Sequence, residues 1–138
     1  MTQDGTFSIP GFLSETAPRT GDVYAADCPT RKLLDRIGDK WSVLILLLLG
    51  GGPMRFNALR RRIAGVSQKM LSQTLRSLER DGLVERGVTP TMPVEVRYSI
   101  TPLAGELIEA LTTMMHWAER RMDVVAAAQA RFDARRAE

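Results

Sequence analysis

The chain is poor in the residues that build metal centres and disulfides. Its 138 residues hold one cysteine, Cys28, and one histidine, His116. A lone thiol cannot close an internal disulfide, and the two residues are too far apart in sequence for a structural zinc motif, so no metal and no cofactor is expected. Long apolar runs are also missing. The strongest, over 41–49, is far short of the ~20 residues that a membrane span needs. The first residues lack a basic flank followed by an apolar stretch, so no signal peptide is expected. The chain reads as cytoplasmic, with no membrane partner. Catalytic patterns are absent as well: there are no paired carboxylates, no nucleophile beside a base and no phosphate loop. Gly50-Gly51-Gly52 lacks the following Lys-Ser/Thr and reads as a helix stop. An enzyme is not expected.

What is present is positive charge in one place. The stretch 55–97 holds nine Lys/Arg against four Asp/Glu, a net +5, so the rest of the chain carries −2 of the total +3. A basic middle third points to a polyanionic partner.

Periodicity supplies the elements. Residues 1–26 scatter Gly, Pro, Ser and Thr without a period, and Pro10 and Pro18 oppose a continuous helix, so they read as a flexible arm. Cys28-Pro29-Thr30 opens a short helix, because proline suits a first turn; Leu33, Leu34 and Ile37 share a face, and Gly38 ends it. Asp39 caps a second helix over 40–49, apolar almost all round and therefore buried. Met54-Arg55-Phe56 reads as a short strand and 57–63 as a third helix. Gly65 makes a turn, and Ser67 caps a fourth helix over 68–80 with Leu71, Leu75 and Leu78 inward. Two alternating segments joined by Thr89-Pro90-Thr91-Met92-Pro93 make a hairpin. From Thr101-Pro102 a long helix follows, with a heptad seam of Ala104, Ile108, Leu111, Met115, Ala118, Met122 and Val125 beside a second stripe of Leu103, Leu107 and Met114.

Helix, glycine-containing turn and capped helix make a helix-turn-helix, and the hairpin after it makes a wing. The fold class is α+β, mainly α with a small β-hairpin: an arm over 1–26, a winged helix-turn-helix over 27–101, and a C-terminal dimerisation helix and tail over 102–138. The free side of the fourth helix carries side chains suited to base edges, since Gln pairs twice with adenine and Arg or Lys with guanine. Ser67, Gln68, Lys69, Ser72, Gln73 and Arg76 are the candidates there, while Arg55, Arg62 and Arg97 would hold phosphates, which position without reading sequence. The competing reading is a winged-helix module for protein contact, its basic face on an acidic partner.

Cys28-Pro29, Ile37-Gly38-Asp39-Lys40-Trp41, Phe56-Asn57-Ala58-Leu59, the run from Ile63 to Leu71, Asp81-Gly82-Leu83-Val84 and Val96-Arg97-Tyr98-Ser99-Ile100-Thr101 resemble the HxlR family of winged-helix regulators. The resemblance covers about 27–115. It implies a homodimer, built by the first and last helices, that binds a two-fold symmetric operator in double-stranded DNA and often controls a neighbouring gene. Leu33, Ile108, Leu111, Met115, Trp117, Ala118, Met122 and Val125 are the interface candidates. Some relatives sense quinones, aldehydes or hypochlorite through a cysteine at the place of Cys28, which implies a small electrophile or another effector as a further partner. A helix start with Arg31 and Lys32 nearby favours a thiolate. The plainer alternative is an inert small side chain at a helix cap. Trp41 is expected to be core, and His116 has no assigned role.

Overall fold

The computed structural model describes residues 22–137. The chain divides into two compact units between Gly38 and Asp39. Most of the expected arm, residues 1–21, lies outside the described residues.

The described part of the first unit is a turn and a helix. The Ala25 N–H donates to the Asp22 carbonyl at 3.0 Å and the Cys28 N–H to the Ala25 carbonyl at 3.2 Å. The Cys28 carbonyl then accepts from the Lys32 N–H at 3.1 Å, which makes Cys28 the cap of α1 (Pro29–Gly38). Pro29 takes the first helical position, where its missing N–H costs nothing. No side chain of α1 itself is buried.

The second unit runs α2 (Lys40–Leu49), β1 (Met54–Arg55), α3 (Phe56–Arg62), α4 (Gln68–Arg80), β2 (Val84–Thr89), β3 (Glu95–Ile100) and α5 (Pro102–Ala137). α2 is the central post. It buries Ser42, Val43, Ile45, Leu46 and Leu49 and packs against α4, α5 and β3. The Asp39 carboxylate caps it, accepting from the Trp41 N–H at 3.2 Å. Around α2, Leu59, Leu71, Leu75, Leu78, Leu83, Val84, Ala104 and Leu111 complete the core.

The sheet is antiparallel with β3 in the middle, in the order β1-β3-β2. Thr101 joins three elements. Its N–H donates to the Leu83 carbonyl at 3.1 Å and its hydroxyl to the Gly82 carbonyl at 2.7 Å. The same hydroxyl oxygen accepts from the Ala104 N–H at 3.2 Å, capping α5. α5 continues to Ala137, so the stretch expected as a tail is helical. At 1.5 Å per residue it is about 54 Å long. No helix of the described residues is long and apolar enough to cross a membrane.

Candidate nucleic-acid interface

The helix-turn-helix is α3, residues 63–67 and α4. Ile63 and Val66 anchor the turn from below, at 5% and 7% exposure. Gly65 between them has φ +88°, a left-handed conformation that a side chain resists. A Cβ at Gly65 would lie 3.8 Å from Cη2 of Trp41, so the half-buried indole of α2 sits beneath the turn. The Ser67 hydroxyl accepts from the Met70 N–H at 3.0 Å and caps α4. Its own O–H remains a donor for an incoming phosphate.

α4 is two-sided for a simple reason. Leu71, Thr74, Leu75 and Leu78 are buried at helical spacing, and the Thr74 hydroxyl is satisfied by the Met70 carbonyl at 2.8 Å. On the other side Gln68, Lys69, Gln73, Arg76 and Arg80 are exposed and Ser72 is half-buried. With about 100° per residue, Lys69, Gln73, Arg76 and Arg80 occupy the middle of the outward arc. Gln68, Ser72 and Glu79 lie at one flank. Arg62, with Arg60 and Arg61, is exposed on the last turn of α3.

Two expected phosphate ligands have a partner that the sequence did not show. Arg55 and Arg97 face each other across β1 and β3, and Glu95 lies between them. Its carboxylate is 2.6 Å from a guanidinium nitrogen of Arg55 and 3.4 Å from Nε of Arg97. The trio therefore presents a net charge of about +1. Such an exposed pair contributes only ~0–1 kcal/mol.

Sequence reasoning also missed a cleft of about 210 Å³ beside α4, lined by Ser72, Leu75, Arg76, Glu79, Arg86 and Tyr98. Arg86 and Tyr98 are cross-strand partners of β2 and β3, so they project from one face of the hairpin. The signal lay in the hairpin register, which fixes that pairing once the loop length is known.

The interface candidates divide. Leu111 is 3% exposed, so it is taken up within the chain and unavailable to a partner. Ile108 is half-buried, with Cδ1 3.6 Å from the Cβ position of Gly50 at the end of α2. Met115, Ala118 and Val125 are half-buried, while Trp117 and Met122 are 52% and 50% exposed. Leu33 is 44% exposed on α1. The first half of the heptad seam thus turns inward, and Leu103, Met114 and Trp117 on the neighbouring stripe stand open. Cys28 is buried, at 4% exposure.

A buried helical post, a glycine-turned helix pair with a polar outer helix, and a hairpin alongside define a winged helix-turn-helix. The HxlR-like helix-turn-helix family model matches residues 36–126. The chain is 41% identical over 109 residues to the HTH-type transcriptional regulator YtfH of Escherichia coli (strain K12), covering 79% of this chain and 86% of that one. Among solved structures, the transcriptional regulator YtfH of Salmonella typhimurium superposes with TM-score 0.74 at 39% identity, over 80% of this chain and 98% of that one. The redox regulator HypR matches in its reduced form with TM-score 0.67 at 36% identity, over 72% and 98% of the two chains. The chain belongs to the HxlR-like helix-turn-helix family and is a DNA-binding transcriptional regulator. Each of these relatives is a regulator by name, which leaves the protein-contact module without support.

Proposed function

We propose that the protein binds a two-fold symmetric operator as a homodimer, with α4 of each copy in the major groove. The observation that carries this is the outward face of α4. Lys69, Gln73 and Arg76 are exposed on a helix pinned by three buried leucines, beside a hairpin that can lie along the next groove. Gln68, Lys69, Ser72 and Gln73 read base edges near the helix start, with Arg76 shared between base and phosphate. Ser67, Arg62 and the Arg55–Glu95–Arg97 trio meet the backbone. The open stripe Leu103, Met114 and Trp117 of α5 supplies the apolar surface for the second copy, with Met122, exposed on the seam, as a further candidate. The exposed Leu33 of α1 is a separate candidate for contact with the second copy.

Fluorescence anisotropy on the DNA upstream of the protein's own gene tests this. Tight binding, a preference over scrambled duplex, and a steep loss of affinity with salt are expected. Equal binding to scrambled duplex would remove the sequence-specific reading.

Cys28 is assigned a sensing role within that reading. It caps α1, so an adduct or mixed disulfide at its buried sulfur would displace the start of that helix. HypR, a redox regulator, is the structural relative that motivates this. A thiol-reactive quinone is expected to release the wild-type protein from DNA and to leave Cys28→Ser bound. Equal release of both proteins would reduce Cys28 to a cap.

A further inference from the structure

We infer that the cleft between α4 and the wing is a seat for one DNA backbone phosphate, held by Arg86 and Arg76 with the hydroxyls of Tyr98 and Ser72. This rests on the proposed DNA binding, adds Arg86 and Tyr98 to it, and moves Ser72 from a base edge to the backbone. In that reading α4 occupies a major groove and the hairpin the minor groove beside it. Adjacent grooves of a duplex are separated by one sugar-phosphate strand, so a strand has to pass between the two elements. The surface between them is this cleft, bordered by Ser72, Arg76 and Glu79 of α4 and by Arg86 and Tyr98 of the hairpin.

The chemistry of the lining suits a phosphodiester. Each guanidinium offers a planar fork of N–H donors to phosphate oxygens, and the Tyr98 and Ser72 hydroxyls can each donate one more bond. Arg86 and Tyr98 are paired across β2 and β3, which fixes their spacing before DNA arrives. Ser72 and Tyr98 are half-buried while both arginines are exposed. The two hydroxyl residues are thus the more sheltered part of the lining, and the two arginines the more solvent-accessible part. The volume, about 210 Å³, equals several waters at about 30 Å³ each, enough for a phosphate group and part of its hydration.

Charge separates this site from the other wing cations. Arg97 and Arg55 share the carboxylate of Glu95 at 3.4 and 2.6 Å. Among the described residues, neither Arg76 nor Arg86 has a carboxylate within ion-pair distance. Glu79 also lines the cleft, so its charge opposes an incoming phosphate without neutralising either arginine. The wing contact that sequence reading gave to Arg97 therefore belongs first to Arg86, and the Arg55–Glu95–Arg97 trio, at a net charge of about +1, is the weaker backbone contact.

The test is duplex affinity against salt for the full chain and four variants, with thermal melting to confirm folding. Arg86→Gln is expected to weaken binding about tenfold, equally on operator and scrambled DNA, and to reduce the salt slope by about one unit. Tyr98→Phe keeps the ring packed and is expected to lose about threefold through its hydroxyl alone. Glu79→Gln should tighten binding about threefold, and Arg97→Gln should cost less than Arg86→Gln. Unchanged affinity and slope in Arg86→Gln, with the lost unit appearing in Arg97→Gln, would overturn the assignment and leave DNA binding standing. A wild-type chain that ignores duplex DNA would instead overturn the functional reading and the cleft with it.

Discussion

A buried serine in the first turn of an apolar helix looks misplaced until Asp39 is seen beside it. Ser42 is fully buried, and its hydroxyl donates to the second oxygen of the Asp39 carboxylate at 3.1 Å. One residue thus caps α2 and satisfies the single polar side chain buried on that helix. Asp39 was legible as a cap because Asp before an apolar run is a strong signal. The bond to Ser42 was not, since it depends on which rotamer the cap adopts. Gly65 was legible in the same way, as the turn residue, and its φ of +88° gives that reading a cost. An alanine there meets only Trp41, at an ordinary 3.8 Å, so the whole penalty is backbone strain of about 1–2 kcal/mol. Gly65→Ala should lower the melting temperature by about 4–8 °C for each kcal/mol. Gly38 was read as a helix stop, yet it closes α1 without a positive φ and a Cβ there meets nothing within 4 Å. Gly38→Ala should leave the melting temperature unchanged or slightly raised, and the contrast between the two glycines is the check.

At the scale of elements, strong periodicity and capping were enough to place the first four helices, the hairpin and the start of α5 to within a residue or two, while the end of α5 runs on through the stretch read as a tail. Leu71, Leu75 and Leu78 fix which side of α4 is free, so its outward side chains follow from spacing alone. α5 shows where that method stops. Two apolar stripes run along the helix, and spacing cannot say which one the chain keeps for itself. The structure answers with Ala104 and Leu111, which are buried, while Leu103, Met114 and Trp117 are about half exposed. Trp117→Asp should therefore weaken self-association by about 2 kcal/mol or more with the melting curve of the isolated chain little changed. Leu111→Ala should do the reverse, costing about 2–5 kcal/mol of folding stability. Sedimentation and thermal melting on both variants separate the two stripes. The cleft beside α4 was illegible for a related reason: Ser72, Arg76, Arg86 and Tyr98 meet only once the hairpin has folded back along the helix.

For the whole molecule, the charge asymmetry takes on a spatial meaning. The +5 of residues 55–97 comes from α3 and α4, the two helices of the helix-turn-helix, because the two arginines and two glutamates of the hairpin strands cancel, while α5 is the long element from which a second copy can be held. A two-fold dimer would set two such surfaces at a fixed separation, which turns the reading into a geometric expectation. Hydroxyl-radical footprinting of the upstream DNA with the full chain measures it. Two protected patches related by two-fold symmetry are expected, their centres one helical turn or a multiple of it apart, about 10–10.5 base pairs per turn. Each patch should extend across the backbone strand next to the contacted major groove. A single unpaired patch, or uniform protection along the duplex, would contradict the two-fold dimer with α4 as its reading helix.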